Sequence, residues 1–318
     1  MNKILDTTKY VVQNSKFVKI NHKRLEKFAD VFNQGDIKHW LSVAPFNFSN
    51  FSDSDKLHFL VVFDALSFSY WGEPKWTIDY KGKLYDGAWG MNCALGRAIE
   101  EGKNLLDFEY CSKISFEEFA YIMRGNIEMP LLEERWQILR EIGLNMLAKF
   151  KGKASNMILK ADGDSQKLLE IIIQNFPSFL DVSEYNNHPV YFYKRAQLLI
   201  ADIFIIFHGD NFGKLKNIDQ LTACADYKLP QILRKLGIFE YDKEMAEKID
   251  NKIEIQHNCQ EEVEIRANTI WAVELIKQRI LRFNPKILSI EVNDYLWLAT
   301  QEKFDGDKPY HRTRTTAY

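Results

Sequence analysis

Apolar residues recur at helical spacing through most of the chain. Leu168, Leu169, Ile172, Ile173 and Phe176 form one stripe, and Ile270, Val273, Leu275, Ile276, Ile280 and Leu281 form a longer one after the Glu-rich stretch at 261 to 264. Each predicts an amphipathic helix. The run from Leu198 to Phe207 is interrupted only by Asp202. A helix from about Lys194 to Phe207 would therefore be apolar almost all round and lie in a core, and the run is too short to span a membrane. Ser115 followed by Glu118 reads as a capping box opening a helix through Phe119, Ile122 and Met123. Within residues 1 to 40, the spacing of Val18, Ile20, Leu25, Phe28, Val31 and Phe32 suits an entry helix. From about residue 90 helical signals dominate to the end, punctuated by Pro130, Pro177, Pro189, Pro230 and Pro285.

Between Phe46 and Trp89 the texture changes to dense aromatics with β-branched residues. Phe59-Leu60-Val61-Val62-Phe63 reads as an apolar strand running into Asp64, and Trp76 to Tyr80 follows a Gly-Glu-Pro turn. Lys81-Gly82-Lys83 predicts a hairpin turn between Thr77–Tyr80 and Leu84–Tyr85. The predicted architecture is mainly α. One compact domain covers 1 to 318, with a helical body over 91 to 318 and a small mixed β subdomain with aromatic walls over 40 to 90. No internal repeat or low-complexity linker divides it.

Composition narrows the function classes. With 46% hydrophobic and 14% aromatic residues in 318, the chain can bury a large core. Forty-two Lys and Arg against 44 Asp and Glu leave a net charge of -2, which provides no general basic field for a long polyanion. Local clusters could still hold one phosphate. The four cysteines, Cys93, Cys111, Cys224 and Cys259, show no CxxC pairing, and no secretory leader is apparent. A reducing cytoplasm is the expected compartment, and neither a metal nor a cofactor is expected.

The segment Cys224-Ala225-Asp226-Tyr227-Lys228-Leu229-Pro230-Gln231 sets one carboxylate among apolar and aromatic neighbours just before a helical signal. Asp226 either caps that helix or is held ready for chemistry, and spacing alone does not separate the two. The helix itself has Pro230 at a plausible first position and Gly237 at a plausible stop, and it resembles half of a helix-hairpin-helix element. In Phe192-Tyr193-Lys194-Arg195-Ala196-Gln197 two cations stand at the mouth of the most apolar helix, as a solvated end or as a clamp for an anion. Glu262 to Leu275 alternates charges around Trp271, the usual mark of structural salt bridging.

Taken together, these segments, with Met129 to Arg135 and the closing Tyr310-His311-Arg312-Thr313-Arg314, resemble the queuosine salvage protein family in content, order and approximate spacing. The resemblance covers nearly the whole chain from about residue 40. It implies a fold similar to helix-hairpin-helix DNA glycosylases and release of the base queuine from queuosine 5'-monophosphate. It assigns Asp226 as the catalytic carboxylate, Lys194 as a contact in the substrate pocket, and Asp64 a place near the recognised base. Ser67 stands where the family usually carries Asn.

A lone carboxylate suits that chemistry. Breaking the bond from ribose C1' to a ring nitrogen builds positive charge on the sugar, which a fixed anion stabilises, and the same anion can activate water. Phe68, Trp71 and Tyr227 could stack a planar base, and Asp64 could accept from its edge or from the amine of its side arm. Lys194, helped by Lys228 or Arg195, suits the 5'-phosphate, and a role on the ribose fits as well. The expected partner is therefore a small nucleotide, with no membrane and no stable nucleic-acid complex. Two other classes stay open: a DNA or RNA glycosylase acting on a modified base, and a non-catalytic queuine binder in which Asp226 only caps or holds ribose.

Overall fold

The computed structural model describes residues 2–32, 37–302 and 306–318. Its first element, α1 (Lys3–Asn14), is capped by the Asn2 side chain, which accepts from the Ile4 and Leu5 amides. The expected single entry helix is in fact three elements: α1, strand β1 (Val18–Ile20) and α2 (His22–Asp30). A new cap at Asn21, accepting from Arg24 N, restarts the helix after the strand.

The predicted strand at Phe59–Phe63 is wrong. Those residues lie inside α3 (Asp53–Ala65), which Ser52 opens by accepting from Asp55 N. Leu57 to Ala65 are buried in unbroken succession, so the helix is enclosed on every side. A helix without a polar face loses the 3.6-residue signature, and a short apolar run of this kind reads equally well as a strand. Real β structure in this region is confined to β2 (Thr77–Tyr80) and β3 (Lys83–Asp86). Lys81 and Gly82 form their two-residue turn with φ of 52° and 78°, the positive pair that such a hairpin demands.

Helices then follow closely: α4 (Gly87–Glu100), α5 (Phe108–Lys113), α6 (Phe116–Ile122), α7 (Leu132–Phe150), α8 (Ala154–Lys160) and α9 (Ser165–Asn175). Ser115 caps α6 as expected, its hydroxyl accepting from Glu118 N. A second hairpin, β4 (Val182–Tyr185) with β5 (His188–Tyr191), leads into α10 (Lys194–Ile206). After it come α11 (Lys228–Lys235), β6 (Phe239–Tyr241), α12 (Lys243–Asp250), α13 (Gln260–Ile280) and α14 (Ser289–Ala299). Strand β6 pairs antiparallel with β1, joining the first 20 residues to the segment behind α11.

Two apolar cores organise the described residues. One gathers α3, α4, α7, α9 and α10, and the other gathers α2, α11, α13 and α14. Helix α13 belongs to both: Val263, Ala267 and Ile270 face the first, while Ile265, Ala272, Val273 and Ile276 face the second. It starts at Gln260, ahead of the Glu-rich stretch instead of after it, and Glu262, Glu264 and Arg266 are all fully buried. Glu264 carries its charge inside by accepting from the Lys16, Phe17 and Val18 amides and from the Tyr185 hydroxyl. A third, small cluster of Trp71, Tyr227 and Tyr318 lies where a cavity opens between elements of the two cores.

Candidate active site

The cavity is walled by the loop after α3, the segment leading into α11, the first residue of α10, the end of β3 with the start of α4, helix α14 and the C-terminal tail. Asp226, Lys194, Phe68, Trp71 and Tyr227 all reach it. Asp64 and Arg195 do not line it.

Three helices fix the chain ahead of Asp226. Gln197 of α10 accepts from Thr222 N at 2.8 Å, Asn293 of α14 accepts from Cys224 N at 2.9 Å, and Arg266 of α13 donates through Nε to the Ala225 carbonyl at 3.4 Å. Asp226 is thereby delivered to the N-terminus of α11. Its Oδ1 accepts from Lys228 N at 2.8 Å and Leu229 N at 3.0 Å. Pro230 is consequently the third helical residue, not the first. The capping role is real, yet it uses one oxygen, and the residue stays partly exposed on the cavity wall. Burial pushes the Asp226 carboxyl up, with Lys194 and the two backbone amides pulling against it.

Lys194 opens α10, whose N-terminus is capped from outside by Asp181 Oδ2, accepting from Lys194 N at 3.0 Å. Its ammonium donates to the Ser67 carbonyl at 3.3 Å and acts electrostatically on both Asp226 and Asp64. Asp64 is fully buried near the end of α3, and neither of its oxygens meets a partner at hydrogen-bonding geometry among the described residues. Burial, then the neighbouring Asp202 carboxylate, holds it well above the usual carboxylate range against the pull of Lys194. Asp64 thus lies one layer behind the cavity, with its charged form opposed by burial, and Lys194 pulls on it and on Asp226 alike.

The aromatic residues are held by cations and by the tail. Phe68 lies between Arg135 and Arg195, whose guanidiniums stand 4.0 and 5.0 Å from its ring centroid. Arg135 donates to the Leu66 and Phe68 carbonyls, and Arg195 to those of Ala65 and Ser178, so both are spent on fixing backbone. Trp71 donates through Nε1 to the Thr313 carbonyl at 3.1 Å, with Arg314 stacked 3.5 Å from its ring centroid. Tyr227 packs on Tyr310 at 4.8 Å. The tail is anchored in return, since Ser69 N donates to the Tyr318 carbonyl at 2.8 Å.

Sequence reasoning missed a second acidic centre. Asp294 of α14 lies on the cavity wall with Asn293, Trp297, Trp40 and Trp89. His39 Nε2 stands 3.1 Å from Asp202 Oδ1 and 3.6 Å from Asp294 Oδ2. Burial pushes the Asp294 carboxyl up to about 7, with His39 pulling it down. Burial opposes charge on His39, but the two carboxylates outweigh it and its pKa is raised. His39 is more than 160 residues from either carboxylate in the chain, and no local motif joins the three. The only hint was two polar residues, Asn293 and Asp294, between Val292 and Leu296 on a buried helix face.

Residues 47–318 match the family described as queuosine salvage protein. The chain is 37% identical to the queuosine 5'-phosphate N-glycosylase/hydrolase of Sphaerobacter thermophilus, over 99% of this chain and 97% of that protein. It is 33% identical to the Bos taurus protein of the same name over 98% of each, and 38% identical to that of Nematostella vectensis over 81% of each.

Proposed function

Since this chain belongs to the queuosine salvage protein family, we propose that it is a hydrolase that cleaves the N-glycosidic bond of queuosine 5'-monophosphate and releases queuine. The observation that carries the reading is Asp226: a carboxylate clamped at one oxygen by a helix N-terminus, beside a buried cation, on the wall of an aromatic cavity.

Queuine is a 7-deazaguanine, and carbon at ring position 7 removes a nitrogen whose protonation would help the base to leave. Stabilisation on the sugar side then carries more of the barrier. Asp226 lies beneath ribose C1', where its anion opposes the charge of the oxocarbenium-like transition state and orients or deprotonates the attacking water. The amides of Lys228 and Leu229 fix its position, so little reorganisation accompanies the reaction. Lys194 pulls the Asp226 pKa down against the larger effect of burial and borders the ribose. Phe68, Trp71 and Tyr227 flank the base, while Lys75 and Lys228, both on the cavity wall, suit the 5'-phosphate. A mononucleotide needs no long basic groove, which agrees with the charge balance. No described helix is long and apolar enough to cross a membrane. We place the reaction in the cytoplasm.

The cap formed by Asp226 favours one rival, a queuine binder in which the carboxylate is only structural. Incubation with queuosine 5'-monophosphate, queuosine and a queuosine-containing RNA, followed by chromatography, separates the possibilities. Queuine from the monophosphate is expected. No queuine from any of the three would leave the binder, and release from RNA alone would indicate a polymer glycosylase.

A further inference from the structure

Behind the cavity, where α3 packs on α10, two carboxyls are enclosed together. Asp64 of α3 and Asp202 of α10 are both buried, and the two side chains lie within reach of each other. Asp202 Oδ1 is well supplied, with Trp40 Nε1 donating to it at 3.1 Å and His39 Nε2 standing 3.1 Å away. Its Oδ2 meets no partner at hydrogen-bonding geometry among the described residues, and neither do the two oxygens of Asp64. Buried carboxyl oxygens without donors are costly, and two buried negative charges side by side are costlier still. The hydrolytic step makes no direct use of either group.

One proton removes both costs. Placed between Asp202 Oδ2 and the Asp64 carboxyl, it supplies a donor to a pair that has none and reduces two charges to one. The remaining charge falls to Asp202, where Trp40 and His39 stand at Oδ1. We propose that Asp64 and Asp202 share one proton and act as a positioning pair for the reaction: their single negative charge is held at Asp202, which keeps Asp64 from competing with Asp226 for the Lys194 ammonium. The upward push that burial and Asp202 exert on the Asp64 carboxyl agrees with this arrangement.

Lys194 is the link between the pair and the cavity. Its ammonium is held at the Ser67 carbonyl and acts on Asp64 and Asp226 alike. An ionised Asp64 would set a second anion against that ammonium and push the Asp226 carboxyl higher. The other groups facing the pair are Arg195 and Tyr70 at Asp64, and His39, Cys224 and Asp294 at Asp202. Besides Lys194, Asp226 is faced by Lys228, Tyr227 and Cys224. Neither Asp64 nor Asp202 lines the cavity, so both act through Lys194 and not on substrate.

The test moves the pair's charge. In Asp64→Asn the amide donates to Asp202 as the shared proton does, and the charge stays at Asp202. In Asp202→Asn the amide oxygen still accepts from Trp40, its N–H donates to Asp64, and the charge passes to Asp64. The kcat profile for queuosine 5'-monophosphate should keep its acid limb in Asp64→Asn. In Asp202→Asn the limb should move up by about one pH unit, and adding Asp64→Asn to that variant should bring it back down. A lower limb in Asp64→Asn would mean that Asp64 is charged in the wild type, and an unmoved limb in Asp202→Asn would mean that no proton is shared; either overturns the proposal. The kinetic test rests on the hydrolytic reading, and a second measurement does not. The infrared difference between the wild type and Asp64→Asn at pH 8 should contain the C=O stretch of a protonated carboxyl. Its absence overturns the shared proton whether or not queuine is released, and its presence in a protein that releases none means that the hydrolytic reading alone has failed.

Discussion

Arg266 grips both oxygens of Asp181, with Nη1 at 2.9 Å from Oδ1 and Nη2 at 2.6 Å from Oδ2. The same Asp181 caps α10 at Lys194, and the same Arg266 reaches the carbonyl of Ala225. One buried ion pair thus connects the two segments that present Lys194 and Asp226 to the cavity. Arg266→Met would leave a buried carboxylate without its cation, which costs on the order of 3–5 kcal/mol. Urea unfolding should show a loss of that size. A variant that unfolds like the wild type would show that the pair is replaceable by packing alone.

Asp226 is at once a helix cap and the proposed catalytic anion, and two substitutions separate these roles. Asparagine keeps an oxygen that can accept from Lys228 N and Leu229 N, so the cap survives. Because burial raises the carboxyl's pKa, its ionised form is the disfavoured one in the folded protein, and Asp226→Asn should unfold at the same temperature as the wild type or higher. Turnover should nevertheless fall by about 100- to 1000-fold or more. Asp226→Ala removes the cap as well and should cost about 1 kcal/mol of stability. Thermal melts beside initial rates check both. Full activity in the asparagine variant would reduce Asp226 to its capping role.

Lys194 opposes the burial of Asp226, so its loss should appear in the pH profile before it appears in the fold. Lys194→Met removes a cation that lowers the carboxyl's pKa, and that pKa must rise. Activity that depends on the ionised carboxylate then needs higher pH, and the acid limb of kcat should move upward. An unmoved acid limb, with only KM changed, would assign Lys194 to binding alone.

Much of this site was legible in the chain, for a definite reason. Asp226, its capping contacts and its aromatic neighbour lie within four residues, the helix of Leu168–Phe176 announces itself by period, and that of Lys194–Phe207 by its long apolar run. What stayed hidden depends on distant partners. The alternating charges of α13 do serve structure, yet they are buried because Lys16, Phe17, Tyr185 and Asp181 arrive from far away to satisfy them. Helix α3 was misread because full burial erased its periodicity. His39 and Asp294 meet only in the folded chain.

The carboxyl of Asp294, raised to about 7, gives the cavity wall a pH signature in stability. The groups that act on it are His39, whose positive charge pulls it down, and Asp202 of α10, whose negative charge pushes it up, with Asn293 and the Trp40 backbone amide bonding to it. A carboxyl whose folded pKa is raised contributes stability that is complete at acid pH, below its unfolded value, and is lost as pH rises towards about 7, with no further loss above it. Asp294→Asn carries no titrating group there. The wild type should therefore lose stability relative to this variant as pH rises from 5 to 7, and the difference should level off between 7 and 8. Thermal melts of both proteins at pH 5, 6, 7 and 8 measure it. A difference that stays constant over the whole range would show that the carboxyl of Asp294 is not raised by its burial.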